Sequence, residues 1–122
     1  MMNKFLSAVT YLFGLIFLVN AIHWLLFPAE VAGQLGMPLL EGEGLSTQIG
    51  DFASFFFVVG GFIILGAYTK NKHWFYAPIA LLSVAAFSRT IAYLFHNAAF
   101  SMDKIAVELV VAFFLLFLVN RK

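Results

Sequence analysis

From Phe5 to Ala29 the chain reads FLSAVTYLFGLIFLVNAIHWLLFPA, 25 residues without an Asp, Glu, Lys or Arg. A helix crosses the hydrocarbon core of a bilayer with about 20 apolar residues, so this run is long enough to span. Lys4 precedes it as a basic residue precedes a signal peptide. The apolar core nevertheless runs on past about 15 residues without a small-x-small cleavage site, and the segment is read as a retained span. Pro28 ends it, because proline cannot continue the backbone ladder.

Three further runs follow the same logic. Phe52 to Thr69 is free of charge and extends back through Asp51 to about Ser46, with Ser46 and Thr47 as N-cap candidates. Trp74 to His96 is interrupted only by Arg89, and Met102 to Asn120 carries Glu108 near its start. Spans are expected at about 5–27, 46–69, 74–96 and 102–120, in one four-span membrane domain. The fold class is all-α, an up-down four-helix transmembrane bundle. Pro28 to Gly36 reads as a short interfacial helix in the first outer loop, with proline first and glycine after its end. It is either a connector on the membrane surface or a lid.

Composition agrees. The 122 residues are 63% hydrophobic and 11% charged, whereas a soluble domain has roughly half and a quarter. The net charge of +1 gives no basic surface for nucleic acid. The absence of cysteine excludes disulfides, thiolate metal sites and a thiol nucleophile. Lys4, Lys70, Lys72, Arg121 and Lys122 fall on one side of the spans; Glu30, Glu41, Glu43, Asp103 and Lys104 fall on the other. Basic residues in short loops stay inside, so both termini are expected in the cytoplasm. Trp74, Phe75 and Tyr76 are expected as an inner aromatic belt, with Trp24 and Phe27 as the outer one.

The few polar residues of the spans lie at one depth. At 1.5 Å rise per residue, Asn20 and His23, Gln48 and Asp51, Arg89, and Glu108 all fall roughly 4–10 Å beneath the outer surface. Arg89, Tyr93 and His96 form one stripe of their helix, and Gln48, Asp51 and Ser54 another. A charge facing lipid costs several kcal/mol, so these stripes are expected to face inward and converge. The candidate ligand-binding residues are Asp51, Arg89, Glu108, His23, His96, Gln48, Asn20 and Tyr93, with Phe55 as a lining residue one turn past Asp51. Lys104 stands at i−4 from Glu108, which offers an ordinary surface ion pair instead. No metal is expected: His23, Asp51, His96 and Glu108 show no ligand spacing on one helix, and Arg89 would repel a cation. No Gly-x-Ser-x-Gly elbow is present, and no catalytic residue is assigned. Gly60, Gly61 and Gly66 lie mid-span, where small residues let helices approach.

The segment Gly44-Leu-Ser-Thr-Gln-Ile-Gly-Asp-Phe52, with Trp74-x-x-x-Pro78, Arg89, His96 and Glu108, resembles a family of uncharacterised bacterial four-helix membrane proteins and, more widely, the DoxX-like group. The resemblance implies a multi-pass protein of the bacterial inner membrane. Some DoxX-like members are linked with quinone-dependent redox complexes, but no catalytic role carries over to a residue here. The leading expectation is a binding or accessory protein for a lipid-like or quinone-like molecule. In it Arg89, flanked by His96 and Tyr93, anchors an anionic or carbonyl-bearing headgroup, Asp51 and Gln48 orient it, and the apolar lower bundle takes the tail. The alternatives are a membrane enzyme doing acid–base chemistry on a lipophilic substrate and a purely structural membrane subunit. Either admits a membrane-complex partner or a homo-oligomer.

Overall fold

The computed structural model describes residues 3–121. It is all-helical, with no strand among those residues. Its helices are α1 (Lys4–Leu26), α2 (Pro28–Gln34), α3 (Gly42–Thr69), α4 (Tyr76–Phe95) and α5 (Met102–Asn120), with a 3-10 turn over Lys72–Phe75 before α4. Three segments, Lys4–Leu26, Gly42–Thr69 and Lys72–Phe95, are long and apolar enough to cross a membrane. They mark the chain as a membrane protein. The fourth long helix, α5, carries Asp103, Lys104 and Glu108 in its first two turns.

Helix ends follow local chemistry. The Asn3 side chain caps α1 by accepting from the Leu6 N–H. Pro28 opens α2, and Gly36 leaves it at a φ of +78°, the left-handed backbone that glycine adopts without strain. The expectation for α3 needs correction. Ser46 and Thr47 do not cap it: the helix starts a turn earlier, with Glu41 as N-cap. A cap preference is worth about 1 kcal/mol, and the added turn is held by the loop itself. Buried Gln48 accepts from the Leu40 N–H at 3.0 Å and donates to the Pro38 carbonyl at 3.2 Å.

The tightest pairing is α1 against α3, antiparallel. Gly14 packs on Gly60 and Ile64, Phe17 stacks on Phe56, and Trp24 stacks on Phe52 with ring centroids 4.9 Å apart. A methyl on Gly60 would stand 2.7 Å from both the Gly14 carbonyl oxygen and the Leu18 nitrogen, so two backbones meet where no side chain fits. Gly66 makes equal room for the Phe75 ring, whereas Gly61 has nothing near it. Helices α4 and α5 form a second antiparallel pair. The Lys72 ammonium donates to the Arg121 carbonyl, tying the end of α5 to the α3–α4 turn.

The core has two parts. The larger holds Phe17, Val59, Ile63, Phe75, Leu82 and Leu115. The smaller joins Trp24 and Ala53 to Val31 and Ala32 of α2, which is thereby docked onto the end of the α1–α3 pair. Trp24 is therefore not an outer-belt residue, because α2 covers it completely. Its indole N–H has no hydrogen-bond partner among the described residues. Phe27 is exposed, while Phe75 of the inner group is buried beneath Gly66.

Gly60→Ala is expected to destabilise the protein by about 1–3 kcal/mol, the usual cost of forcing atoms into a filled core. Gly61→Ala should leave the thermal unfolding midpoint in detergent unchanged. Equal midpoints for the two variants would count against the α1–α3 contact.

Candidate functional site

Between the α1–α3 pair and the α4–α5 pair lies a cavity of about 560 Å³. Asn20 of α1, Asp51 of α3, Arg89 of α4 and Glu108 of α5 all line it, so each long helix contributes at least one polar residue. Its floor is Phe17, Leu82 and Val111, all buried, and Phe55 and Phe56 form part of its wall. Leu35, just past the end of α2, lines it from the far side.

Glu108 is the most enclosed charge, 7% exposed. A carboxylate held this far from water requires a donor. Arg89 supplies one: its Nε donates to both carboxylate oxygens at 3.1 Å. This contact uses one of the five N–H donors of the guanidinium. Neither Nη makes a hydrogen bond within the described residues. The surface ion pair between Lys104 and Glu108 does not form. Lys104 instead reaches Asp103 at 3.0 Å, and both of these residues also line the cavity. With both cations engaged, Asp51 has no ion-pair partner among the described residues.

The other candidates lie elsewhere. Gln48 is spent on the α2–α3 loop, with its amide also 3.8 Å from the Met37 sulfur. It shares a neighbouring hollow with Asp51 and Thr47. His23, rotated from Asn20 toward α2, borders a separate shallow hollow with Gln34 and sets its ring edgewise to Phe27. Tyr93 and His96 do not continue the Arg89 stripe inward. Tyr93 is exposed and packs on Phe100, and His96 is the exposed C-cap residue of α4. Inward orientation fails there because α4 ends at Phe95 and its last turn stands clear of the other long helices. Ser54 is also exposed and bonds to its own helix at the Asp51 carbonyl. His73, read as an inner-side residue, is exposed and pairs with the Asn71 side chain. Asn20 donates to the Ile16 carbonyl of its own helix at 3.1 Å. No group of three or more His, Asp or Glu suited to a metal ion occurs among the described residues.

Asp103 and Lys104 were missing from the expected site. The signal for Lys104 was present, since i and i+4 residues share a helix face and Glu108 was already assigned to the interior. Val107, adjacent to Glu108, lines the cavity from the same helix.

No family model, curated protein or solved structure matches the chain.

Removing one partner of the pair strands the other. Glu108→Ala and Arg89→Ala are each expected to lower stability by about 2–3 kcal/mol, less than for a fully enclosed pair because the Arg89 side chain keeps 32% of its exposure. The double change Arg89→Met with Glu108→Met should recover most of that loss. Additive losses in a double-mutant cycle of unfolding would show that the two side chains do not interact.

Proposed function

We propose that the chain is an up-down four-helix transmembrane bundle whose cavity binds a membrane-dissolved, quinone-like or lipid-like amphipath with an uncharged, carbonyl-bearing headgroup. The observation that carries this reading is the division of polarity within one cavity. Asn20, Asp51, Arg89, Asp103, Lys104 and Glu108 supply its polar groups, over a buried aromatic and aliphatic floor. Ligand sites of this kind are mostly apolar, about 300–1,000 Å³ in volume, with few convergent polar groups.

The charges favour a neutral head. Arg89 is already neutralised by Glu108, and Lys104 by Asp103. An anionic head would compete with Glu108 for the guanidinium and would share the cavity with Asp51. A carbonyl oxygen can accept from an Arg89 Nη without displacing Glu108. A hydroxyl on the same ring or glycerol can donate to Asp51.

A fourth crossing by α5 is supported by its length. Its 19 residues rise about 28 Å, close to the hydrocarbon thickness. Its deepest charge, Glu108, is met by Arg89 rather than by lipid. The basic residues at the Lys4, Lys70–Lys72 and Arg121 end argue for both termini inside.

The chain lacks cysteine, so single cysteines report sidedness directly. Glu43→Cys is expected to react with a membrane-impermeant maleimide in intact cells, and His73→Cys only after lysis. The reverse pattern would invert the topology. For the ligand, purified protein in mild detergent is heated with short-tailed ubiquinone, monoacylglycerol or a fatty acid of matched length. Saturation at a hundred times Kd adds about 2.7 kcal/mol, so the quinone or monoacylglycerol should raise the midpoint by several degrees and the fatty acid much less. No shift with any of them, together with bare protein in native mass spectrometry, would overturn the reading.

A further inference from the structure

The cavity is covered in part by α2 and the loop after it, floored by the larger core, and bordered on one side by α1 and α5. On the outer side, α2 is docked through buried Val31 and Ala32, and Leu35 stands over the cavity. Gln48 pins the loop that follows. On the inner side the floor is solid core. Between α1 and α5 the packing is different. These helices share few close backbone approaches compared with α1–α3 and α4–α5. Phe13 and Phe114 close their seam by an edge-to-face contact, with centroids 5.3 Å apart. One turn outward of Phe13 lies Ile16, and two turns outward of Phe114 lies Val107. Both line the cavity, and Ile16 is 48% and Val107 55% exposed. These side chains therefore stand at the rim of the cavity, beside the seam between α1 and α5.

We propose that this seam is a lateral portal, through which the tail of a single-tailed amphipath runs from the cavity into the outer leaflet. The inference rests on the ligand reading above and adds the route. A cavity of about 560 Å³ takes a headgroup and the first part of a tail, as drug-sized ligands fill such sites. A long isoprenoid chain does not fit inside and has to leave somewhere. Ile16 and Val107 flank a wall formed by two helices that share few close backbone approaches. The head stays at Arg89 and Asp51, and the ligand is loaded from the bilayer rather than from water.

The test varies tail length at a constant head. Ubiquinone analogues with tails from a single isoprenoid unit to a full-length chain are titrated into the protein in lipid nanodiscs, and binding is expressed against concentration in the lipid. The parent protein is expected to bind short and long tails within about threefold of each other. With Ile16→Trp and Val107→Trp combined, the long tail should lose about tenfold or more in affinity relative to the single-unit analogue, about 1.4 kcal/mol. Retained short-tail binding also shows that the variant is folded. Val84→Trp, on an exposed position outside the cavity, is the control and should change neither. A parent affinity that falls steeply with tail length would mean a closed pocket and overturn the portal alone. So would a tryptophan pair that treats both tails alike. Failure of every analogue to bind would remove the ligand reading and the portal together.

Discussion

A carboxylate enclosed by apolar helices cannot stand alone, and the arrangement of this protein depends on how Glu108 is met. Arg89 meets it through Nε, from the neighbouring antiparallel helix. The pair joins α4 to α5 and sets each charge against the other. Among the described residues the guanidinium Nη nitrogens make no hydrogen bond, so one interaction both joins the helices and furnishes the cavity with donors. Polar groups commonly act as glue between membrane helices. Here the glue is only partly consumed.

The two helix pairs are held by different means, and the cavity is the result. Helices α1 and α3 meet backbone to backbone at Gly14 and Gly60, where dispersion contacts are dense and nothing polar is involved. Helices α4 and α5 add an ion pair to their packing. Bulky phenylalanines separate the pairs: Phe13 touches Phe114, and Phe17, Phe55 and Phe56 occupy the space between. Rings of that size keep the α1 and α5 backbones from closing on each other.

Much of this was legible in the sequence, because the apolar medium leaves little choice. Charge-free runs located the long helices within a few residues, and Pro28 and Gly36 bracketed α2 as expected. Counting residues along each helix brought Asn20, Asp51, Arg89 and Glu108 to a common depth, and these four line one cavity. Counting failed where a helix ends or a loop folds back. Tyr93 and His96 have the right azimuth for the interior, but Tyr93 in the last turn of α4 and His96 at its C-cap are both exposed. Gln48 has the right depth, yet the carbonyl and N–H of an adjoining loop claim its amide. Trp24 carries the composition of an interfacial anchor, and only the docking of a seven-residue helix decides that it is covered. Periodicity describes one helix at a time, whereas these outcomes depend on what a different segment does.

The placement of the indoles gives the protein its own optical signals. Trp24 lies flat on Phe52 beneath α2, and Trp74 stands edgewise to Phe62. Their partners are ten residues apart on α3, about 15 Å along the axis. No other tryptophan competes. Emission from one therefore follows the docking of α2, emission from the other follows the basic turn, and replacing either with phenylalanine isolates its counterpart without a dye.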